Sequence, residues 1–195
     1  KSFRFGDNYA KILQNNLNKL YEINSSKPLK IAGLNSTTQI GKEKINYNKP
    51  FCVIARSTFG LIQQLVYFIH DKKKIYFEGG YNSYSFMNQT VYSIFYLKQK
   101  KNDKITIDEI KDFDTINELE QFAKDTKNQD YLNIIKFINT YGDNIFEINK
   151  KIKEFLVTDK KDADIIFTTT HKSKGLEYEQ VIMADDFITK KELIN

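Results

Sequence analysis

The spacing of apolar residues predicts alternating helices and strands over the first 80 residues. Apolar residues recur at helical spacing from Asp7, which suits an N-cap, to Leu20, and a second periodic stretch begins after Ser57 or Thr58. Both stretches predict helices. Apolar runs bounded by turn-forming residues predict short strands at 29–34, 51–55 and 74–80.

From residue 84 to residue 156 the pattern changes to successive helical stretches. Strand-like runs return in DIIFTT (164–169) and QVIMA (180–184). A strand–helix pattern that stops, admits helices and resumes predicts an α/β fold with a helical insertion. We place the α/β domain at 1–81 and 158–195 and the inserted subdomain at 82–157. The helices predicted in the insertion are 86–97, 107–113, 116–123, 131–141 and 145–156, with starts at Asp108, Asn117 and Asp130 and a stop at Gly142.

Composition bounds the class of protein. The chain has 195 residues, 41% of them hydrophobic, which is typical of a globular domain. No apolar run approaches the ~18 residues of a membrane span, and the first residues lack the apolar segment of a signal peptide, so we expect a cytoplasmic protein without membrane contact. The one cysteine, Cys52, lies inside the apolar run FCVIA and is predicted to be a core residue.

The basic residues are almost all lysine. Only Arg4 and Arg56 are arginine among 30 basic residues, and the net charge is +5. Arginine offers a planar, always-charged fork that binds phosphate or carboxylate in a bidentate manner, which lysine cannot do. The two arginines are therefore either functional or chance survivors in a lysine-rich sequence.

Two candidate sites are weak. The stretch GLNSTTQIGKEK superficially resembles a phosphate-binding loop, but its glycines are eight positions apart instead of five and Glu43 follows Lys42. Asp185 and Asp186 follow an apolar strand and could hold Mg²⁺, although aspartates at strand ends are more often solvated. We therefore predict no metal site and no unaided nucleotide hydrolysis.

The segment IIFTTTHKSKGLEYEQVIMA carries the most specific signal. It resembles motif V of superfamily-one DNA helicases of the UvrD/Rep kind. The matching residues, at unbroken spacing, are Thr169, His171, Lys174, Gly175, Leu176, Glu177 and Tyr178.

Three further stretches resemble the same family in the right order. KSFRFGDNYAKILQNNL is similar to motif IV, FCVIARSTFGL to the segment that carries an arginine and a threonine, and IYFEGGYNSYSF to a segment with paired glycines. The forms SFRFG, ARST, FEGG and ADDF are most similar to the F-box DNA helicase branch. The resemblance implies the second RecA-like domain, with a parallel sheet, interrupted by the inserted subdomain.

The resemblance also implies residue roles. Arg4 matches the catalytic arginine that contacts the γ-phosphate of ATP, and Phe3 the aromatic near the adenine. Gly175 and Glu177 match contacts to ATP, while Lys174 could serve either ATP or DNA. The residues implied to bind single-stranded DNA are Arg56, Ser57, Thr58, Gly79, Gly80, Thr169, His171 and Lys172.

The resemblance implies part of an ATP-dependent DNA helicase that moves 3′ to 5′. ATP with Mg²⁺ would be shared with a first RecA-like domain, whose motifs this sequence lacks, so we expect the 195 residues alone to be inactive. Three alternatives stay open. The chain could be a non-catalytic nucleic-acid-binding module, the Gly79–Gly80 pair could be only a turn, or the helices could form a protein-docking domain.

Overall fold

The computed structural model describes residues 5–24, 29–33, 37–41, 44–84 and 86–187. Phe3 and Arg4 lie outside these residues. The chain divides into two compact units, residues 1–46 and residues 47–195.

The first unit is built on one helix, α1 (Asp7–Asn24), where the sequence predicts it. The prediction of a strand at 29–34 is wrong for residues 29–33, which form no regular secondary structure. Their polar groups bind α1 instead of a partner strand: the Ile31 amide donates to Gln14 Oε1 at 2.6 Å. A short apolar run does not form a strand without a strand to pair with.

The second unit contains a four-stranded parallel sheet. Its strands are β1 (Phe51–Ala55), β2 (Ile75–Phe77), β3 (Ile165–Thr169) and β4 (Val181–Met183), in the spatial order β2-β3-β1-β4. In the centre, Val53 of β1 is opposite Phe167 of β3 and Ile182 of β4. The predicted α/β class is therefore confirmed.

The predicted helices of the second unit are confirmed, and Asp108 begins its helix as predicted, whereas the two other predicted starts, Asn117 and Asp130, are shifted. Thr115 and Asn128, rather than Asn117 and Asp130, cap the helices that they precede, because their side-chain oxygens accept from the amides of Glu118 and Tyr131. The helices are α2 (Thr58–Phe68), α3 (Gln89–Lys98), α4 (Asp108–Lys111), α5 (Ile116–Asp125), α6 (Gln129–Tyr141), which ends at Gly142 as predicted, and α7 (Asn144–Phe155).

One apolar core joins the sheet to these helices. Val53, Phe77 and Phe167 from the strands are at most 1% exposed and belong to the same cluster as Ile94 of α3 and Ile138 of α6. The boundary that we predict for the inserted subdomain, 82–157, stays a prediction. Among the described helices, none combines the length and apolar character needed to cross a bilayer.

Candidate functional site at the carboxyl edge of the sheet

The residues predicted to bind DNA follow three neighbouring strands at one edge of the sheet. Because all four strands are parallel, their carboxyl ends lie along the same edge, where α/β proteins commonly bind ligands. Along this edge lie, in spatial order, the β2 turn (residues 78–80), the β3–β4 loop (residues 170–180), the start of α2 (residues 56–58) and the residues after β4 (184–186).

Lys172 brings the β3–β4 loop against the segment that follows β2. Its ammonium donates to Ser83 Oγ at 2.6 Å and lies 4.5 Å from the centre of the Tyr84 ring. A Cβ at Gly79 would lie 3.5 Å from the same ammonium. Gly79 and Gly80 have φ of +78° and +85°, a backbone region that favours glycine. Two segments that the sequence singled out separately therefore meet around one cation.

Glu78 makes a second link between the same two segments. Its Oε1 accepts a hydrogen bond of 3.0 Å from the Tyr178 hydroxyl and forms an ion pair with Lys160. The Lys160 ammonium also lies 4.6 Å from the centre of the Tyr178 ring. The Glu78 side chain is only 12% exposed, and the charge of its carboxylate is balanced by the partly exposed Lys160.

Burial keeps the groups around Glu78 protonated. Desolvation raises the pKa of the fully buried Cys52 thiol to about 12, and it raises the pKa of the neighbouring Tyr178 hydroxyl as well. Both groups are therefore neutral at physiological pH. Cys52 is a core residue, as predicted.

The β3–β4 loop is hydrogen-bonded to β1 at its start, and the backbone in its middle adopts a conformation that favours glycine. Thr170 bonds the Ala55 carbonyl through its amide at 2.9 Å and through its hydroxyl at 3.2 Å. Gly175 has φ of +86°, which explains the glycine at this point. The side chains of His171, Lys174 and Glu177 are exposed, whereas Thr169 is buried at the end of β3.

The start of α2 is held by Asp186. The Asp186 carboxylate accepts hydrogen bonds from the amides of Arg56 and Ser57 at 2.8 and 2.7 Å, and from the Ser57 hydroxyl at 2.8 Å. The Ser57 hydroxyl oxygen in turn accepts from the Gly60 amide at 3.0 Å, so Ser57 is the N-cap of α2. The position of Asp186 is that of a helix-capping carboxylate, and the Arg56 side chain beside it is exposed.

Sequence reasoning missed the partners of these residues. Ser83 and Tyr84 lie in the segment with paired glycines but were not singled out there, and Lys160, which contacts Glu78, belongs to no recognisable motif. Glu78 was visible only as a neighbour of the glycine pair. The one usable signal was the apolar context of Glu78, directly after a buried strand, where a carboxylate needs a partner.

Comparison with known proteins gives a partial similarity. No family model matches the chain, and no solved structure matches it. A curated protein, F-box DNA helicase 1 of Gallus gallus, is 35% identical over 54 residues, which are 28% of this chain and 5% of that helicase. The chain thus corresponds to a small part of the curated relative. This similarity indicates a helicase-related region.

Proposed function

We propose that the chain is part of an ATP-dependent DNA helicase or translocase that moves 3′ to 5′, and that it binds single-stranded DNA along the carboxyl edge of its sheet. One observation carries the proposal. Three segments far apart in the sequence, each singled out by its resemblance to helicase motifs, converge on this edge. The partial similarity to a DNA helicase supports the same class.

The proposed DNA contacts come from residues at the carboxyl ends of the β-strands. Exposed Arg56, His171 and Lys172 would donate to phosphates. Gly79 lies against the Lys172 ammonium, and the open space at Gly80 would let a DNA strand approach the backbone closely. Ser57, Thr58 and Thr169 would fix the position of these groups. Ser57 does this through its cap on α2, and Thr169 through its place at the end of β3.

The nucleotide contacts come from other positions. Phe3, Arg4, Gly175 and Glu177 would face ATP with Mg²⁺, which a first RecA-like domain would hold on its other side, and Lys174 would serve either ATP or DNA. Arg4 would stabilise the negative charge that develops on the transferred phosphoryl group.

ATPase and unwinding assays of the intact protein that carries this chain test the proposal. Arg4→Ala should keep nucleotide binding and lose most DNA-stimulated ATP hydrolysis, by about 10³-fold if Arg4 acts as an arginine finger. The His171→Ala variant should still hydrolyse ATP but should unwind DNA poorly, because the β3–β4 loop no longer couples the DNA strand to the nucleotide. The matched control is His70→Ala, which changes an exposed histidine in the 3-10 turn that follows α2.

The outcomes separate the candidate functions. Unchanged turnover in Arg4→Ala would remove the role proposed for Arg4. Strand binding by an intact protein that hydrolyses no ATP would favour the non-catalytic nucleic-acid-binding module.

A further inference from the structure

A cavity of about 80 Å³ opens beside the proposed DNA edge, between α2 and α6. Ser57 and Asp186, which follow β1 and β4, form its end toward the sheet. Arg56, proposed to contact a phosphate, directly precedes Ser57 in the chain.

One wall of the cavity is aromatic. Phe59 and Phe137 lie with ring centres 5.6 Å apart, and Phe137 and Tyr141 with ring centres 5.3 Å apart. Phe137 is buried, whereas Phe59 and Tyr141 are half-buried. The partly exposed rings offer surface on which a flat ligand can pack.

The charged groups of the cavity are of opposite sign: the Lys136 ammonium and the Asp186 carboxylate both line it, so a ligand without net charge fits it best. Gln63 and Lys136 line it, and within the described residues neither side chain has a hydrogen bond or ion pair. The place where an anion would bind, the N-terminus of α2, is already taken by the Asp186 carboxylate. A phosphate would meet that like charge, whereas a planar ring with donors and acceptors would meet an aromatic wall and the Gln63 amide.

We propose that this cavity accepts a nucleobase of the single strand that follows the carboxyl edge, an inference that rests on the proposed function. The base would pack against Phe59 and Tyr141, and the Gln63 amide would hydrogen-bond to its edge. Base stacking on aromatic side chains tolerates every base because each has a π face. The Arg56 contact to the strand's backbone would lie next to it.

Binding of two oligonucleotides to the 195-residue chain tests the cavity directly. One is a fluorescein-labelled oligothymidylate, and the other has the same length and sugar–phosphate backbone but no bases. Anisotropy at low ionic strength gives both affinities. We expect Gln63→Ala and Phe59→Leu each to weaken thymidylate binding by about fivefold and to leave the abasic affinity unchanged. Gln64→Ala is the matched control, since Gln64 is the next residue of α2 and does not line the cavity.

Each other outcome overturns the inference in a different way. Equal losses with both oligonucleotides, or none with either, would mean that no base occupies the cavity, while the proposed function would stand. If free thymidine displaces oligothymidylate when the two are present at equal nucleotide concentration, the ligand of the cavity is a free nucleoside instead. If the chain binds neither oligonucleotide, the cavity inference and the proposed DNA edge both fail. Gln63 is exposed, so its variant tests the cavity even if Phe59→Leu does not fold.

Discussion

Glu78 connects the β2 turn to the β3–β4 loop through a single carboxylate oxygen. That oxygen accepts from Tyr178, and Lys160 neutralises it at the same point. Burial of the Glu78 carboxylate costs desolvation, and its bonds to Tyr178 and to the partly exposed Lys160 must offset that cost. The arrangement holds two proposed DNA-contacting segments at a fixed separation.

Tyr178→Phe should reveal how much the hydroxyl contributes. It removes one hydrogen bond to a charged group while Glu78 keeps Lys160, so we expect the free energy of unfolding to fall by about 1.5–3 kcal/mol. Urea denaturation measures this change. Tyr67→Phe is the control, because Tyr67 is 74% exposed. Equal stability of the two variants would show that the Tyr178–Glu78 bond adds nothing.

Cys52 should make stability depend on alkaline pH. Its folded-state pKa is raised from the ordinary 9.0 to about 12 by burial, so the folded thiol keeps its proton after the unfolded thiol has lost it. The folded state then binds more protons than the unfolded state, and the free energy of unfolding falls as pH rises through this window.

Substitution of Cys52 isolates its part of that pH dependence. Several tyrosines, among them Tyr178, half-buried Tyr81 and buried Tyr84, also have raised pKa values, but their ordinary value is 10.0, so they add to the decline mainly above about pH 10. Cys52→Ala should therefore flatten the decline between about pH 8.5 and 10. Denaturant titrations of both proteins at several pH values measure it. Parallel pH curves for both proteins would contradict the raised thiol pKa.

At the scale of elements, helix α2 begins where it does because Asp186 reaches its first turn. Gly60 makes this approach possible: a Cβ there would lie 2.0 Å from Asp186 Oδ2. The end of β4 and the start of α2 are therefore tied by a contact between residues 129 positions apart.

A double-mutant cycle tests the packing of Asp186 against Gly60, because the effect of Gly60→Ala on stability should change sign when the Asp186 side chain is removed. Gly60→Ala should lower the free energy of unfolding by about 1–3 kcal/mol in the wild-type background, because the methyl group expels the carboxylate from its donors. In an Asp186→Gly background, which also removes the Asp186 Cβ that would lie 3.0 Å from the new methyl group, the same change should raise stability by about 0.5–1 kcal/mol, since alanine favours a helix over glycine. Thermal or urea unfolding of the four proteins measures both effects. Additive effects would contradict the packing of Asp186 against Gly60.

Element types were predictable and their partners were not. The periodicity of apolar residues predicted α1 to α7 and β1 to β4, because burial on one helix face or within a sheet leaves a local signal. It failed at 29–33, where Gln14 side-chain contacts replace strand pairing. Strand order carries no local signal, since β1 pairs with strands more than a hundred residues later.

The candidate site divides in the same way. Lys172 and the glycine pair were singled out because they belong to recognisable local motifs. Lys160 was not, because its bond to Glu78 spans 82 positions of sequence. The capping role of Asp186 was equally hidden, since a strand-end aspartate looks solvated until its helix is placed.

At the scale of the whole molecule, the proposed strand path depends on exposed cations from several segments. Each phosphate neutralised on a single strand adds about 0.7 to the slope of log affinity against log salt. Arg56→Gln and Lys172→Met should each reduce this slope by about that amount. Anisotropy titrations with oligothymidylate over a salt series measure it. Lys153→Met, an exposed lysine of α7, is the control and should leave the slope unchanged; equal slopes in all variants would contradict the path.

The order of the strands also has a consequence for synthesis on the ribosome. Among the described residues, β1 pairs with β3 and β4, and β2 pairs with β3 apart from one bridge between Ile75 and Leu156, so both early strands lack a partner strand until residue 165 and those after it have been made. Helices α2 to α7 can form from local contacts in that interval, while the apolar β1 and β2 remain open edges. A nascent chain stalled before β3 would therefore be the form most exposed to aggregation and to chaperone binding.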